Sequence, residues 1–496
     1  MKRFPATILA AALLSACVSP SPEITFTAVR ETEFTGRGNE CETLLKVTAG
    51  PSGESALRSV TVAVSNTADI TALCLDVDGS MVAKVPVKPG RDSYRFRTDR
   101  PVREGTVLEI CADIAADAEE GAEVTADISE IRTTGGKYTV EAPAEGAREI
   151  LLARRLVFNP GDYGSSNYRI PAICTLKDGS LLIANDKRKF SHADLPADID
   201  VVVRRSTDGG LTWSEPVTVA EGKGPDSGFG DPILAVADDG TVICAFSGGA
   251  GIWASTPEKP QKVWICRSTD NGSTWSEPRD VTAMQWGPAA KNPECITGHA
   301  SFFGSGHGIT LSKGPHAGRI MIVTAVHHSK ESRFDNYAVY SDDNGLTWNI
   351  SRRAFTGGDE AKVVELSDGR ILMSVRHSGE RGHNISEDGG ETWGEQGFWK
   401  DVVTNACDGD IIRTSEGTLL QSLPNCVETR KNVSVFMSFD EGATWPAAKT
   451  ICRGPSMYSS LTELPDGTIG AYVEEMHSDV ECEMWFLNFS TGWLRK

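Results

Sequence analysis

Apolar residues in this chain gather in short runs, cut by Gly, Asp, Asn and Pro. Runs that brief are too short for ordinary helices and suit strands. Between residues 25 and 145 the runs alternate with period two, as in Ser59-Val-Thr-Val-Ala-Val-Ser65 and onward from Val124 to Ile128. The pattern predicts a separate all-β module, a β-sandwich. The acidic, Ala/Gly-rich stretch from Ala115 to Glu123 reads as a loop, and Glu141-Ala-Pro-Ala-Glu-Gly146 as a linker. No catalytic constellation appears in this part.

From residue 150 the chain repeats itself. Ser-x-Asp-x-Gly-x-Thr-Trp occurs five times, at Ser206–Trp213, Ser268–Trp275, Ser341–Trp348, Ser386–Trp393 and Ser438–Trp445. Its chemistry is that of a turn: Asp bonds the backbone, Gly supplies positive φ and Trp fills the space beneath. Interleaved with it are six turn-plus-apolar-run units, at Asp178-Gly179, Asp239-Gly240, Ala317-Gly318, Asp368-Gly369, Glu416-Gly417 and Asp466-Gly467. Each predicts a β-hairpin. Six hairpins with five boxes predict a six-bladed β-propeller over residues 150–496, its last blade completed by an early strand within Leu151–Phe158.

Composition adds limits. A chain of 496 residues with 40% hydrophobic and 24% charged residues can build more than one globular core. A formal charge of −19 speaks against nucleic acid as a partner. An anionic substrate then needs locally concentrated arginines. Met1-Lys2-Arg3 and the apolar run Ala6–Leu14 form a leader too short to span a bilayer. It ends in Leu14-Ser15-Ala16-Cys17, which resembles the bacterial lipobox. That resemblance implies a signal peptide over 1–17, lipidation at Cys17, a tether over 18–24, and sorting to the outer membrane or surface of a Gram-negative envelope. The lipid would be the only membrane contact. Twelve cysteines leave eleven after Cys17, so they cannot all pair within one chain. Cys174, Cys244 and Cys266 lie in apolar runs and read as buried free thiols. With no Cys-x-x-Cys and no partner motif for His327-His328, no metal is expected.

Asn167-Tyr168-Arg169-Ile170-Pro171 resembles the Phe/Tyr-Arg-Ile-Pro motif that opens bacterial sialidase domains ahead of the first Asp box. With the five boxes behind it, residues 150 to 496 resemble the sialidase (neuraminidase) superfamily. The implied substrates are sialylated glycoproteins, glycolipids or oligosaccharides, and the implied state is a monomer without cofactor.

Sialic acid bears a carboxylate on its anomeric carbon, and arginine offers it planar, bidentate donors. The resemblance implies a triad: Arg169, Arg376 at the end of Ile371-Leu-Met-Ser-Val-Arg376, and Arg430 in Glu428-Thr-Arg430. Arg413 and Arg453 are substitutes for Arg430. The same carboxylate would repel an Asp or Glu nucleophile, whereas a tyrosine arrives neutral and needs a carboxylate to take its proton. Tyr458, in Gly454-Pro-Ser-Met-Tyr458, matches the family's tyrosine segment. Its partner is Glu360 of Gly358-Asp359-Glu360, with Asp359 as competitor and Glu365 left as a blade residue. Asp194, on the loop before the first box, is the expected acid; Asp186, Asp198 and Asp200 compete with it. Arg188 and Asp231 are further candidate substrate contacts.

These residues imply a retaining exo-α-sialidase. Two rivals stay open: a silent glycan-binding propeller, and a trans-sialidase or hydrolase of another keto-sugar acid. A lectin needs the arginines but not Tyr458, Glu360 and Asp194. Acceptor and ring recognition lie in loops such as Gly248–Lys262 and Gln285–His307.

Overall fold

A computed structural model describes residues 24–496 except 52–53, 144, 257, 329–333 and 479. The leader, Cys17 and the tether up to residue 23 lie outside the described residues. The secondary structure is nearly all β, and the chain divides into two units.

The first unit comprises Glu40–Ile114, Glu123–Ala147 and the chain before Thr32. One antiparallel sheet runs in the order Phe26–Arg30, Glu42–Ala49, Val107–Ile114, Ile70–Val77, Ser80–Pro86. A second is ordered Gly136–Tyr138, Ala126–Thr133, Ser55–Val64, Ser93–Arg97. Period two in the sequence becomes one wet and one dry face: Leu45, Val47 and Ala49 are buried while Lys46 and Thr48 are exposed.

The second unit holds Arg148–Lys496 together with Thr32–Asn39 and Ala115–Ala122. The stretch read as an acidic loop therefore packs with the C-terminal unit. Glu120 accepts the Ser490 N–H at 2.7 Å, and Gly121, at φ 83°, brings its backbone close against the Trp493 ring.

Six sheets follow one another along this unit, antiparallel except where Gly306–His307 pairs in parallel with Phe229–Val236. Each of the six predicted turns joins two paired strands, and each turn glycine has a positive φ. Ala153–Phe158 pairs with Cys482–Phe489, so an early strand completes the last sheet. Contacts run from each sheet to the next, and from the last back to the first, where Ser456–Glu463 meets Asn167–Thr175. Apolar clusters fill the joints. Ala172, Leu182 and Val203 of the first sheet pack with Leu234, Cys244 and Phe246 of the second. Full burial of a ring such as Phe246 stabilises by roughly 2–3 kcal/mol.

The boxes fold as their chemistry requires. In Ser268–Trp275, Asp270 accepts Ser268 Oγ at 2.8 Å, the Thr274 N–H at 2.8 Å and Thr274 Oγ1 at 2.6 Å. The same set recurs at Asp208, Asp343, Asp388 and Asp440. These bonds hold all five carboxyls below the usual carboxylate range, against desolvation.

Candidate active site

Three strands carry the site because each breaks its ladder at the residue that must turn inward. In Asn167–Thr175 the register shifts between Arg169 and Ala172. Pro171 has no N–H to give the ladder. Ile170 sits at φ 63°, costly for a β-branched residue, so its surroundings must hold the bend. Phe229–Val236 does the same at Asp231-Pro232: the register shifts between Gly230 and Ile233, and Asp231 has φ 57°. In Ser456–Glu463 the shift between Ser456 and Ser459 brackets Tyr458. Bulges of this kind re-aim side chains.

The remaining groups come from strand ends and loops. Glu360 precedes Ala361–Glu365, and Arg376 follows Ile371–Val375. Arg430 lies between Leu419–Pro424 and Val433–Ser438, and Asp194 between Leu181–Arg188 and Ile199–Ser206. All converge on a cleft of about 280 Å³.

At its floor Tyr458 Oη donates to Glu360 Oε2 at 2.9 Å and accepts from Arg376 Nη1 at 2.8 Å. Arg376 Nη1 also bonds Glu360, and its Nε lies 3.5 Å from Asp359 Oδ2. Glu360 is therefore the carboxylate on the tyrosine, and Asp359 flanks the arginine. Tyr458 is only 7% exposed. Burial, then the Glu360 charge, keep its hydroxyl well above the ordinary tyrosine value. Burial, then the nearby Asp408, push Glu360 above the usual carboxylate range, while Arg376 and Lys362 pull the other way.

The guanidinium carbons of Arg169 and Arg430 lie 5.2 and 5.8 Å from the Tyr458 ring centre. Arg430 Nη2 donates to the Ala406 carbonyl at 3.1 Å. The substitutes are elsewhere: Arg413 pairs with Glu441 and Arg453 with Glu149.

Asp194 stands at the open rim, 77% exposed, 2.6 Å from Arg188. Desolvation raises its carboxyl, but Arg188 and Arg169 outweigh it and hold the group below its usual value. Arg188 itself is buried, bonding Asp186 and the His192 carbonyl. It acts on Asp194 from behind the cleft wall. Among the competing acids, Asp186 accepts the Asp231 N–H at 2.9 Å, while Asp198 and Asp200 both bind Lys189. Asp231 lines the cleft; desolvation, then Asp186, Asp194 and Glu360, raise its carboxyl well above the usual range.

A larger cavity of about 410 Å³ contains His307, Lys313, Glu365 and Arg413 but none of the arginine–tyrosine set. Glu365 there accepts the Ser312 and Lys313 N–H groups.

The BNR repeat-like domain model matches residues 192–471. A sialidase of Micromonospora viridifaciens is 35% identical over 376 residues, covering 71% of this chain and 56% of the relative. A sialidase of Bacteroides fragilis is 30% identical over 382 residues, covering 71% of this chain and 68% of the relative. The chain belongs to the BNR-repeat sialidase family. It spans little more than half the length of the Micromonospora sialidase. The Hadza microbial sialidase Hz136 superposes with a TM-score of 0.75 at 25% identity, over 94% of this chain and 100% of that one. The intramolecular trans-sialidase of Ruminococcus gnavus shares the fold at a TM-score of 0.60 and 20% identity, over 68% and 98% of the two chains.

Three features of this sialidase-family site escaped the sequence reading. Glu474 is fully buried and binds Arg169, Ile170 and Tyr458 together. A buried ion pair, Lys362 to Asp408 at 2.8 Å, lies behind Glu360, and Ser305 Oγ donates to Asp408 at 2.5 Å. An aromatic wall of Trp253, Phe302 and Phe334 closes one side. Trp253 and Phe302 fall within the two loops assigned to ring recognition. The one available signal for Glu474 was a charged pair inside the apolar strand Ile469–Met476.

Proposed function

We propose that this chain is an exo-α-sialidase that releases terminal sialic acid from glycoconjugates with retention of configuration, using Tyr458 as nucleophile. The observation that carries the reading is the triangle of Tyr458, Glu360 and Arg376 at the floor of an arginine-lined cleft. A binding protein has no need of a tyrosine joined to a buried carboxylate.

Arg169, Arg376 and Arg430 hold the substrate carboxylate. Tyr458 Oη attacks the anomeric carbon and passes its proton to Glu360. The raised basicity of Glu360 suits it to that transfer. The bond to the departing sugar breaks toward oxygen, which takes a proton from Asp194. In the second step water gives a proton to Asp194 and attacks the same carbon, while the tyrosine oxygen leaves and recovers its proton from Glu360. In the free protein Arg188 and Arg169 favour ionised Asp194. A bound substrate carboxylate offsets Arg169 and restores the acid form where it is needed.

The proposed architecture is a six-bladed β-propeller preceded by a β-sandwich, supported by the cyclic run of six sheets and the paired sheets of the first unit. Leu14-Ser15-Ala16-Cys17 supports lipid anchoring at the outer membrane or cell surface. Residues 18–496 assayed on a fluorogenic α-sialoside test the activity, with NMR of the first-formed anomer testing retention. Free sialic acid as the α-anomer is expected. A 2,7-anhydro product or transfer to lactose would replace hydrolysis by transfer, and no turnover by folded protein would overturn the enzyme reading.

A further inference from the structure

We propose that Cys41 and Cys74 form a redox-active pair, which closes into an intramolecular disulfide when a low-molecular-weight disulfide reaches Cys41. The inference concerns the first unit and is independent of the cleft chemistry.

The sulfurs of Cys41 and Cys74 and a carboxylate oxygen of Asp113 all lie within 4.8 Å of one another. Both cysteines are free thiols, Cys41 exposed and Cys74 buried. That asymmetry divides the labour: one sulfur is open to an outside reagent, and the other waits behind it. The local backbone is set up for the contact. Cys41 holds φ 55°, a left-handed conformation that disfavours a residue with a side chain, and its N–H donates to Asp113 Oδ1 at 3.0 Å. Asp113 is fixed in turn by Lys84 at 2.5 Å. With one carboxylate oxygen on the Cys41 amide and the other on Lys84, the aspartate is committed to posture. That argues for sulfur–sulfur chemistry over metal ligation. Burial keeps Cys74 protonated, its thiol pushed up to about 12. Cys111, the cross-strand neighbour of Cys74, has its sulfur 3.6 Å from Thr43 Oγ1.

The chemistry is thiol–disulfide exchange. Cys41 gives up its proton to solvent and its thiolate attacks RSSR, forming Cys41–S–S–R and releasing RS⁻, which takes up a proton from solvent. The Cys74 sulfur then attacks the Cys41 sulfur; RS⁻ departs and takes the Cys74 proton. Two thiols lose two electrons to one disulfide, giving one protein disulfide and two RSH. A sulfur–sulfur bond of about 2.05 Å requires the exposed Cys41 side chain to rotate inward. The bond would join the chain just before Glu42–Ala49 to Ile70–Val77, two strands that flank Val107–Ile114 without pairing to each other. Such a staple restricts the unfolded chain and stabilises the sheet.

The test incubates the full chain with oxidised glutathione, caps remaining thiols with N-ethylmaleimide, and maps peptides by mass spectrometry. A Cys41–Cys74 peptide pair lighter by two hydrogens is expected. It should vanish in Cys41→Ser and persist in Cys111→Ser. The oxidised wild type should melt on the order of 5–10 °C above its reduced form, with no such gap in Cys41→Ser. Capping of both cysteines after oxidation would overturn the proposal, as would glutathione retained on Cys41 or linkage of Cys74 to Cys111. Stoichiometric zinc uptake that blocks the cross-link would overturn it in favour of a metal site.

Discussion

Glu474 grips Arg169 through two parallel hydrogen bonds, Nε to Oε1 at 3.1 Å and Nη2 to Oε2 at 2.9 Å, and accepts the Ile170 and Tyr458 N–H groups on the same oxygens at 2.7 and 3.2 Å. Four donors meet one buried carboxylate, so one residue fixes both the Arg169 guanidinium and the backbone at Tyr458. In Glu474→Gln an amide NH₂ would face some of those donors, and the Arg169 charge would lose its counter-ion. A rise in KM for a sialoside of about tenfold or more is expected, one lost charge-assisted bond being about 1.5–3 kcal/mol. Denaturant unfolding should show a stability loss on the order of 3 kcal/mol. An unchanged KM with intact stability would remove Glu474 from the clamp.

Tyr458→Phe and Glu360→Gln separate chemistry from binding. Each keeps the arginines and the shape of the cleft, so a sialic acid analogue should still bind within a few-fold of wild type by calorimetry. Turnover of a natural sialoside should fall by about 10³-fold or more, because the attacking oxygen or its proton acceptor is gone. Loss of analogue binding in step with turnover would indicate a damaged clamp instead.

The repeats were legible because turn chemistry is local: Ser268, Asp270, Gly272 and Thr274 meet within eight residues, and the sequence shows them side by side. That Arg169, Arg376, Arg430 and Tyr458 would meet in one cleft was legible through family motifs. Glu474 and Asp408 were not. Each meets a partner carried by a neighbouring sheet, Glu474 lying 305 positions from Arg169 and Asp408 lying 46 from Lys362. No periodicity reports such pairings. The packing of Ala115–Ala122 with the C-terminal unit was hidden for the same reason.

Glu360 also links activity to stability. Its carboxyl is raised from 4.5 to about 7, first by burial. Above that value the fold carries an ionised group that the unfolded chain solvates better, so folding is penalised. As pH falls from about 7 toward 4.5 the folded protein takes up the proton first, and the penalty fades. Glu360→Gln should therefore melt higher than wild type at pH 8, with the gain shrinking to nothing by pH 4. Thermal melts at the two pH values check this, and a gain that grows on acidification would reverse the sign of the linkage.

Asp194 should matter in proportion to the leaving group. A sugar hydroxyl needs a proton to depart, whereas an activated phenol hardly does. Asp194→Asn is expected to lose about 10²–10⁴-fold on a sialyl-glycan but far less in the first step on a nitrophenyl sialoside, read as a burst of phenol. Equal losses on both substrates would move the acid role to another group, and Asp231, a raised carboxyl on the cleft wall, would take it.

In the proposed mechanism, the ion pair behind Glu360 tunes the pH at which it accepts a proton from Tyr458. Asp408 places a negative charge near Glu360 and raises its carboxyl; Lys362 opposes that effect. Asp408→Asn keeps the shape and an oxygen for the Ser305 hydroxyl while removing the charge. Glu360 should then ionise at lower pH, so the acid limb of kcat/KM moves down. Lys362→Met removes the opposing charge and should move that limb up, at a stability cost from leaving Asp408 buried alone. A purely structural pair would lower activity uniformly without moving either limb. Opposite shifts in the two variants would identify Lys362 and Asp408 as positioning residues that tune the base.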